Sequence, residues 1–573
     1  MGLLAVLRAG AAEVPNFDAV DLAGHNYELH RAGGKAVVLF FTGTGCPIAR
    51  KSSPKLHEIQ RRYAGRGVTL WGVDSYPEDA PEAIRHEWFR LGLWQIPCLR
   101  DPKQAIALSL GIQRTTEVVV IAVKDWSVVY HGAIDDQYSE GTEKPKAENH
   151  FLRQALDELL SDHAITTPST PAHGCRFTFA EGPETPSYAK DVAPVLKEHC
   201  TDCHRDGGIG PWAMDGHGRV KNNARMIEEV LLTHRMPPWD PDPEFGRFSN
   251  ACDLTREESQ LLLRWIKAGA PRGGEADPLA MPPPQPPEWP QGRPDVVLKL
   301  PEPQHIPATG VLEYRHIRIH SPFTNEVWLS GMDIKPGNRE VVHHVILYAK
   351  WPGSTDDGTG NGVHICGWAP GFPPVRFPVG VGRRLPAGTE FNAEVHYTTC
   401  GTPQTDQSEI AFYLAPGPQP RAAEVRRAVE PDVNIPPGSD DARHVAVYGF
   451  QKPATLYSLM PHMHFRGKSM RYDLLLPDGR RETLLNVPRY DFNWQLGYTL
   501  AQPKLIPAGA WLMVTGSFDN SSANPANPDA TKRVHFGPQS WDEMFIGFFE
   551  AADEPGPARP APAPANPILK SGG

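Results

Sequence analysis

Five histidines and one methionine in the C-terminal half are spaced as metal ligands are. His462 and His464 stand two apart in Leu459-Met460-Pro461-His462-Met463-His464-Phe465-Arg466-Gly467. The flanking runs predict strands, and residues two apart on a strand share a face, so both imidazoles can reach one ion. Taken alone, they could equally be two unrelated wall histidines. Three further features shift that balance: the adjacent pair His343-His344, the later His396, and Met544 downstream. Imidazole suits copper, and a thioether favours the cuprous ion. His343 and His344 face opposite ways on an ideal strand, so one ion needs a twist or bulge there, or different ring nitrogens.

Two other motifs carry chemistry. Cys200-Thr201-Asp202-Cys203-His204 is the attachment signal of a c-type haem. Its thiols would form thioethers, and His204 would face the iron as proximal ligand. The alternative is a zinc or redox Cys-x-x-Cys that happens to precede a histidine. Met236, in His234-Arg235-Met236-Pro237-Pro238-Trp239, is the chosen sixth ligand, because a haem methionine usually arrives on a proline-rich loop; Met214, Met226, His217 and His234 are its rivals. Cys46 follows Thr42-Gly43-Thr44-Gly45 and precedes a helical pattern with Leu56, Ile59 and Tyr63 on one face. A helix N-terminus lowers a thiol pKa.

The elements that position these groups divide the chain of 573 residues into several domains. Residues 13–163 alternate strand and helix signals: Lys35–Phe41, Val68–Val73, Val118–Val123 and Ser127–Tyr130 read as strands, and a helix ends near Leu160. Residues 164–186 read as a linker holding Cys175, to which the sequence assigns no role. Residues 187–275 read as helices around the Cys-x-x-Cys-His. The last is opened by the capping box Thr255-Arg256-Glu257-Glu258 and stopped at Gly269-Ala270-Pro271. Residues 273–294 form a proline-rich spacer. Residues 296–420 and 425–552 read as antiparallel β halves, and 553–573 as a disordered Pro/Ala tail.

The ordered set His343, His344, His396, His462, His464 and Met544 resembles the type II copper, ascorbate-dependent monooxygenases, the group of peptidylglycine and dopamine hydroxylases. The resemblance covers about residues 300–552. It also rests on Ser517-Phe518-Asp519-Asn520-Ser521 and Asn524-Pro525 ahead of Asp542-Glu543-Met544. It implies two copper ions held by two jelly-roll-type β-sandwich halves. His343, His344 and His396 match the electron-storing site. His462, His464 and Met544 match the catalytic site where dioxygen and a C–H bond meet. Peptide-amidating relatives carry an Arg, an Asn and a Tyr where this chain has Met460, Ile546 and Phe548. The resemblance therefore implies a less polar organic substrate than a glycine-extended peptide. Residues 13–163 resemble the thioredoxin-like redoxins, and residues 187–275 resemble a small all-α cytochrome c domain. The redoxin pattern is incomplete. Ala49 stands where a second cysteine would complete Cys-x-x-Cys, Thr116 stands where the family has a cis-proline, and Gly43 stands three before Cys46 in place of the peroxidase threonine. Cys46 is thus either redox active, with Cys98 as candidate partner, or part of a degenerate docking domain.

The fused haem predicts a copper monooxygenase fed with single electrons, its external donor ascorbate or a redox protein. The alternatives are an electron-transfer or copper-handling protein without oxygenase activity, or a thiol peroxidase acting through Cys46. Net charge is −10 with no polybasic run, so nucleic acid is not an expected partner. Mean hydropathy is −0.40, and no 18-residue apolar run predicts a membrane span. Haem attachment predicts a periplasmic or secreted protein, although Met1–Ala12 is too short for a full secretory signal; it is a signal remnant or an N-terminal arm. Cys366 and Cys400 are either one disulfide or two free thiols. His364 and His535 are expected to be structural.

Overall fold

The computed structural model describes residues 13–139, 142–280, 287–354, 362–419 and 421–555. The expected signal remnant and most of the expected tail lie outside them, as does Met281–Pro286 of the spacer. The chain forms two compact units. One contains the residues up to Asp240 together with Cys252–Pro284; the other contains Pro241–Ala251 and the residues from Gln285 onward.

The first unit is built on a five-stranded sheet in the order Cys98–Arg100, Val68–Asp74, Ala36–Thr42, Val118–Ala122, Ser127–Gly132. The first three strands are parallel, and the last two add antiparallel. Ala36–Thr42 is buried at every position, as a central strand covered on both faces must be. Its side chains alternate between two cores. Val38 and Phe40 face Leu56, Ile59 and Tyr63 of the helix Pro47–Tyr63. Val37, Leu39 and Phe41 face a core that also takes in Phe177, Leu232 and Leu263.

That second core changes the expected organisation. Leu232 and Leu263 belong to the helices Ala224–Leu232 and Arg256–Lys267, so the helical segment closes the second face of the sheet. Gln104 binds across the same junction, its amide oxygen accepting from Arg256 and Gln260. The capping box at Thr255 forms as expected. Residues 164–186, expected to be a linker, are tied down instead: His131 N–H donates to Pro168 O and Thr170 N–H to His131 O.

The second unit is β throughout. One nine-stranded sheet runs through both halves, with Val381–Leu385 of the first meeting Arg421–Glu430 of the second in a short parallel pairing. Each half adds its own four-stranded sheet. The first is Arg315–Ile319, Glu390–Tyr397, Val342–Lys350, Val363–Trp368; the second is Ala442–Gly449, Trp511–Phe518, Gly467–Leu475, Arg481–Val487. The halves expected as two sandwiches therefore share a backing sheet. Buried Arg383 and partly buried Glu550 form an ion pair between them. Residues 241–251 belong to this unit, with Asn250 bonded to Gly497 and Thr499 beside the strand Tyr498–Ile506.

Candidate functional site

Val342–Lys350 and Glu390–Tyr397 are antiparallel neighbours, and His344 stands directly opposite His396. The register shifts between Val342 and His344, which makes His343 the extra residue of a bulge. The bulge turns its ring to the same side as its neighbour's. The three ring centroids lie 5.0–5.3 Å apart, and the three histidines each bring a ring nitrogen within 4.8 Å of the others. His343 Nδ1 and His344 Nδ1 are 3.1 Å apart. His343 Nε2 and His396 Nδ1 are buried with no hydrogen-bond partner among the described residues. Buried polar atoms are seldom left unpaired; a metal ion is a partner that three converging imidazoles fit. Burial pushes His343 down to about 4 and His396 down to about 3 and lowers His344 well below the usual histidine range. All three are therefore neutral at pH 7, the form that ligates. Tyr314 lies against two of them, its ring 5.5 Å from His344 and 4.7 Å from His396.

The second set is built differently. His462 ends the strand Ala454–His462, and His464 lies beyond it, in the connection to Gly467–Leu475. The shared-face argument for an unbroken strand does not hold; a buried carboxylate positions His464 instead. Glu543 accepts the N–H groups of His464 at 2.8 Å and Arg466 at 2.7 Å. Arg466 is held in turn by Asn520 Oδ1 and by Trp541 O, which gives the Asp519-Asn520 flank its role. Burial, against the pull of these hydrogen bonds, pushes Glu543 up to about 8. His462 Nδ1–H donates to Gln495 Oε1 at 2.7 Å, and His464 Nδ1 lies 3.3 Å from Asp542 O. Partners on Nδ1 fix each tautomer and leave Nε2 as the nitrogen a metal could take. Burial pushes His462 down to about 4 and His464 down to about 3.

His462, His464 and Met544 line one cavity of about 260 Å³, and His344 of the other set also reaches it. Phe492 stands between the sets, stacked on His343 at 5.5 Å and edge-on to His464 at 6.0 Å. Met460, Ile546 and Phe548 line the cavity too. Met460 faces Phe548 and His462 faces Ile546 across adjacent strands, so the positions that distinguish this chain from peptide-amidating enzymes form one apolar wall. His364 corrects an expectation. It is no satisfied structural histidine: both ring nitrogens are buried without a partner among the described residues, and the ring lines the cavity beside Phe548. Its position became visible only through the pairing of Val363–Trp368 with Val342–Lys350. His535 is exposed at a short strand pair. Cys366 is buried, Cys400 exposed, and both are free thiols.

In the first unit, Cys200, Cys203 and His204 form a tight turn, with Cys203 N–H and His204 N–H both donating to Cys200 O. His204 Nδ1 lies 3.0 Å from Trp212 O, which leaves Nε2 as the outward nitrogen. A Cβ on Gly210 would sit 2.7 Å from His204 Nδ1, so only glycine allows the imidazole this seat. The cluster fits a haem. Among rivals for the sixth ligand, His217 Nε2–H donates to Ala270 O inside the helical core, and His234 pairs with Asp18. Met214 lies in the core beside His204, and Met226 is half-exposed. Met236 follows the helix Ala224–Leu232, its N–H on Val230 O and its side chain half-buried.

Cys46 caps the helix Pro47–Tyr63 as expected. It is almost fully buried, and Thr115 Oγ1 lies 3.0 Å from its sulfur. Thr116, in place of the family's proline, has φ +67°, which is rare for a β-branched residue and marks a constrained site. Burial works to raise the Cys46 pKa, but the Thr115 hydroxyl, the Ala49 and Cys175 N–H groups and the Cys175 thiol outweigh it and bring the pKa below the usual thiol value. Cys98 is buried in the same core, yet the sulfur that touches Cys46 is that of Cys175, at 3.5 Å.

A redoxin family model matches residues 9–150, and the N-terminal domain is thioredoxin-like. The thiol-disulfide oxidoreductase ResA of Bacillus anthracis is 33% identical over 100 residues, which covers 18% of this chain and 56% of that protein. The peptidyl-glycine alpha-amidating monooxygenase of Mus musculus is 30% identical over 158 residues, 24% of this chain and 16% of that protein. The chain thus spans little more than half of the first relative and a small part of the second. Among solved structures, a hypothetical protein from Sinorhizobium meliloti 1021 aligns with 24% identity and a TM-score of 0.27, covering 30% of this chain and 94% of that one. Among the described residues, no helix is long and apolar enough to cross a membrane.

Proposed function

We propose that the chain is a copper-dependent monooxygenase that hydroxylates a C–H bond of an apolar organic molecule with dioxygen. A c-type haem on Cys200, Cys203 and His204 would be its tethered source of single electrons. One observation carries this reading: in one β unit three neutral imidazoles, His343, His344 and His396, bring ring nitrogens together, and a second set, His462, His464 and Met544, lines a cavity that His344 also reaches. Copper bound there would supply one-electron transfer and dioxygen activation. The chain's own residues do the rest. Gln495 and Asp542 O orient the two imidazoles that face the cavity. Glu543 fixes the loop that carries His464. Met460, Ile546 and Phe548 exclude water and favour an apolar substrate, and the unpaired His364 offers it one polar anchor. Covalent haem attachment belongs to an extracytoplasmic maturation, so we place the protein in the periplasm or outside the cell.

The test is metal and haem content of full-length protein matured in a periplasm, by elemental analysis and a pyridine haemochrome spectrum. Two coppers and one covalent haem per chain are expected, followed by oxygen uptake matched by hydroxylated product from apolar candidates. Haem without copper would overturn the reading in favour of an electron carrier. Efficient turnover of a glycine-extended peptide would overturn the substrate class.

A further inference from the structure

We propose that Cys46 and Cys175 form a two-electron thiol–disulfide centre, in which the exposed Cys175 exchanges with outside disulfides and dithiols and the buried Cys46 resolves the mixed disulfide. The proposal is independent of copper. It completes, from outside the matched redoxin region, a site whose local Cys-x-x-Cys is missing.

Cys175 is seated by a run of backbone pairing. Arg114 and Arg176 form an antiparallel bridge. Thr115 N–H donates to Cys175 O and Phe177 N–H to Gln113 O, both at 2.9 Å. Thr116 Oγ1 donates to His173 O and the Arg114 guanidinium to Gly174 O. A Cβ on residue 174 would meet Thr115 O at 2.1 Å, so glycine is required for this approach. Phe177 then anchors the segment in the sheet core and packs on Tyr76 at 5.0 Å. The result is a strap that holds one thiol over another.

Thr115 sorts the two sulfurs. Its hydroxyl oxygen accepts the Cys175 N–H at 2.9 Å, which frees its own hydrogen to donate to Cys46, 3.0 Å away. A charge on Cys46 is thereby stabilised, while Cys175 keeps its proton and points it at Cys46. The sulfurs need to close by only about 1.5 Å to reach the disulfide length of about 2.05 Å. With glutathione disulfide as oxidant, Cys175 gives up its proton as its sulfur attacks one sulfur of the reagent, and the glutathione thiolate expelled takes up that proton. Cys46 thiolate then attacks Cys175 Sγ, forms the Cys46–Cys175 bond and expels the second glutathione as thiolate. Two electrons leave the pair, and one disulfide becomes two glutathiones. A dithiol reverses the sequence by attacking the exposed Cys175 sulfur, with the stabilised Cys46 thiolate as leaving group.

The experiment poises the full-length protein with glutathione redox couples, quenches with acid, alkylates, and maps peptides by mass spectrometry without reduction. The expected product is a Cys46–Cys175 linked peptide that forms and disappears reversibly with the couple. Cys46→Ser is expected to accumulate glutathione on Cys175. Cys175→Ser is expected to leave Cys46 free, and Cys98→Ser to leave the linkage intact. A Cys46–Cys98 link, a link between chains, or a Cys46 that takes up glutathione as fast in Cys175→Ser as Cys175 does in Cys46→Ser would overturn the proposal. Because the wild-type map alone shows or excludes the link, a variant that failed to fold would not rescue the idea.

Discussion

The histidine cavity and the cysteine pair are both assembled from residues far apart in sequence, yet they depend on their surroundings differently. In the cavity the proposed ligands would supply the chemistry, and the scaffold turns and fixes them: a bulge for His343, a buried carboxyl group for the His464 loop, an amide for His462. At Cys46 the proposed reactive sulfur is in place at a helix start, but the sulfur it contacts is delivered by a strap beyond the domain that carries it. The difference is one of redundancy. The β unit distributes its site over a shared sheet, whereas the redoxin site hangs on one short run of backbone pairing.

The strongest break of this comparison is a ligand deletion. His464→Ala is expected to remove one copper of two and to lower hydroxylation by more than about 100-fold. The Cys46–Cys175 linkage map should be unchanged. Elemental analysis and oxygen uptake check the first part, and peptide mapping the second. Loss of the linkage in His464→Ala would mean that the two sites are coupled and that the contrast is false.

A second variant asks whether the shared sheet makes the β halves one cooperative body. Arg383 and Glu550 are both largely buried and pair across the halves. Arg383→Ala strands a buried carboxylate, at an expected cost of about 3–5 kcal/mol. Thermal unfolding followed by circular dichroism should show the β transition moving down as a single step. Two separated β transitions would show that the halves fold as independent sandwiches.

Smaller effects follow from the groups behind the ligands. Glu543→Gln keeps the side chain's shape but leaves one oxygen to serve the two N–H groups of His464 and Arg466. Gln495→Leu releases the His462 ring. Each is expected to weaken copper at the cavity-facing site by about 10–100-fold, with the His343/His344/His396 site retained. Competition titrations with a copper chelator read both sites. Equal weakening of both would argue that the cavity is one metal site with six donors.

How far the sequence could lead differs between the regions for the same physical reason. Donor types and their order are readable, because donor chemistry belongs to the residue itself; strand alternation leaves a twist, a bulge or different ring nitrogens open at His343, and the structure has the bulge. The seat of His464 departs from that reading, since strand logic extends only as far as the strand, and Glu543, adjacent to Met544, announces nothing about which N–H groups it accepts. His364 reads as a structural residue in the sequence, because burial without a partner depends on strands that are neighbours only in space. Cys175 sat in a stretch of Thr, Ser and Pro that reads as a linker. Its pairing with Gln113–Thr115 has no local periodicity to betray it. The packing of the helical segment on the redoxin sheet was hidden likewise, since Leu232 and Leu263 look like the inward face of any helix.

The finest comparison lies between the two sulfurs. Burial raises Cys46, but the Thr115 hydroxyl and the N–H groups of Ala49 and Cys175 outweigh it, so its pKa lies below the usual thiol value; burial, then the bond to Cys46 and its charge, raises Cys175. The depressed group keeps its thiolate as pH falls below the ordinary thiol range, and the raised one gains its thiolate only above that range. Thiolate ultraviolet absorbance, taken as the difference between wild type and each serine variant, should resolve two titrations, Cys46 the lower. Thr115→Val removes the hydroxyl while keeping the branched shape, and should move the Cys46 titration up toward the ordinary value. The same variant also deprives the Cys175 N–H of its acceptor, so the strap should loosen and the linked peptide should form more slowly. If the Cys46 titration stayed put in Thr115→Val, the polarity of the pair would have to come from the Ala49 and Cys175 N–H groups and the Cys175 thiol, and not from the Thr115 hydroxyl.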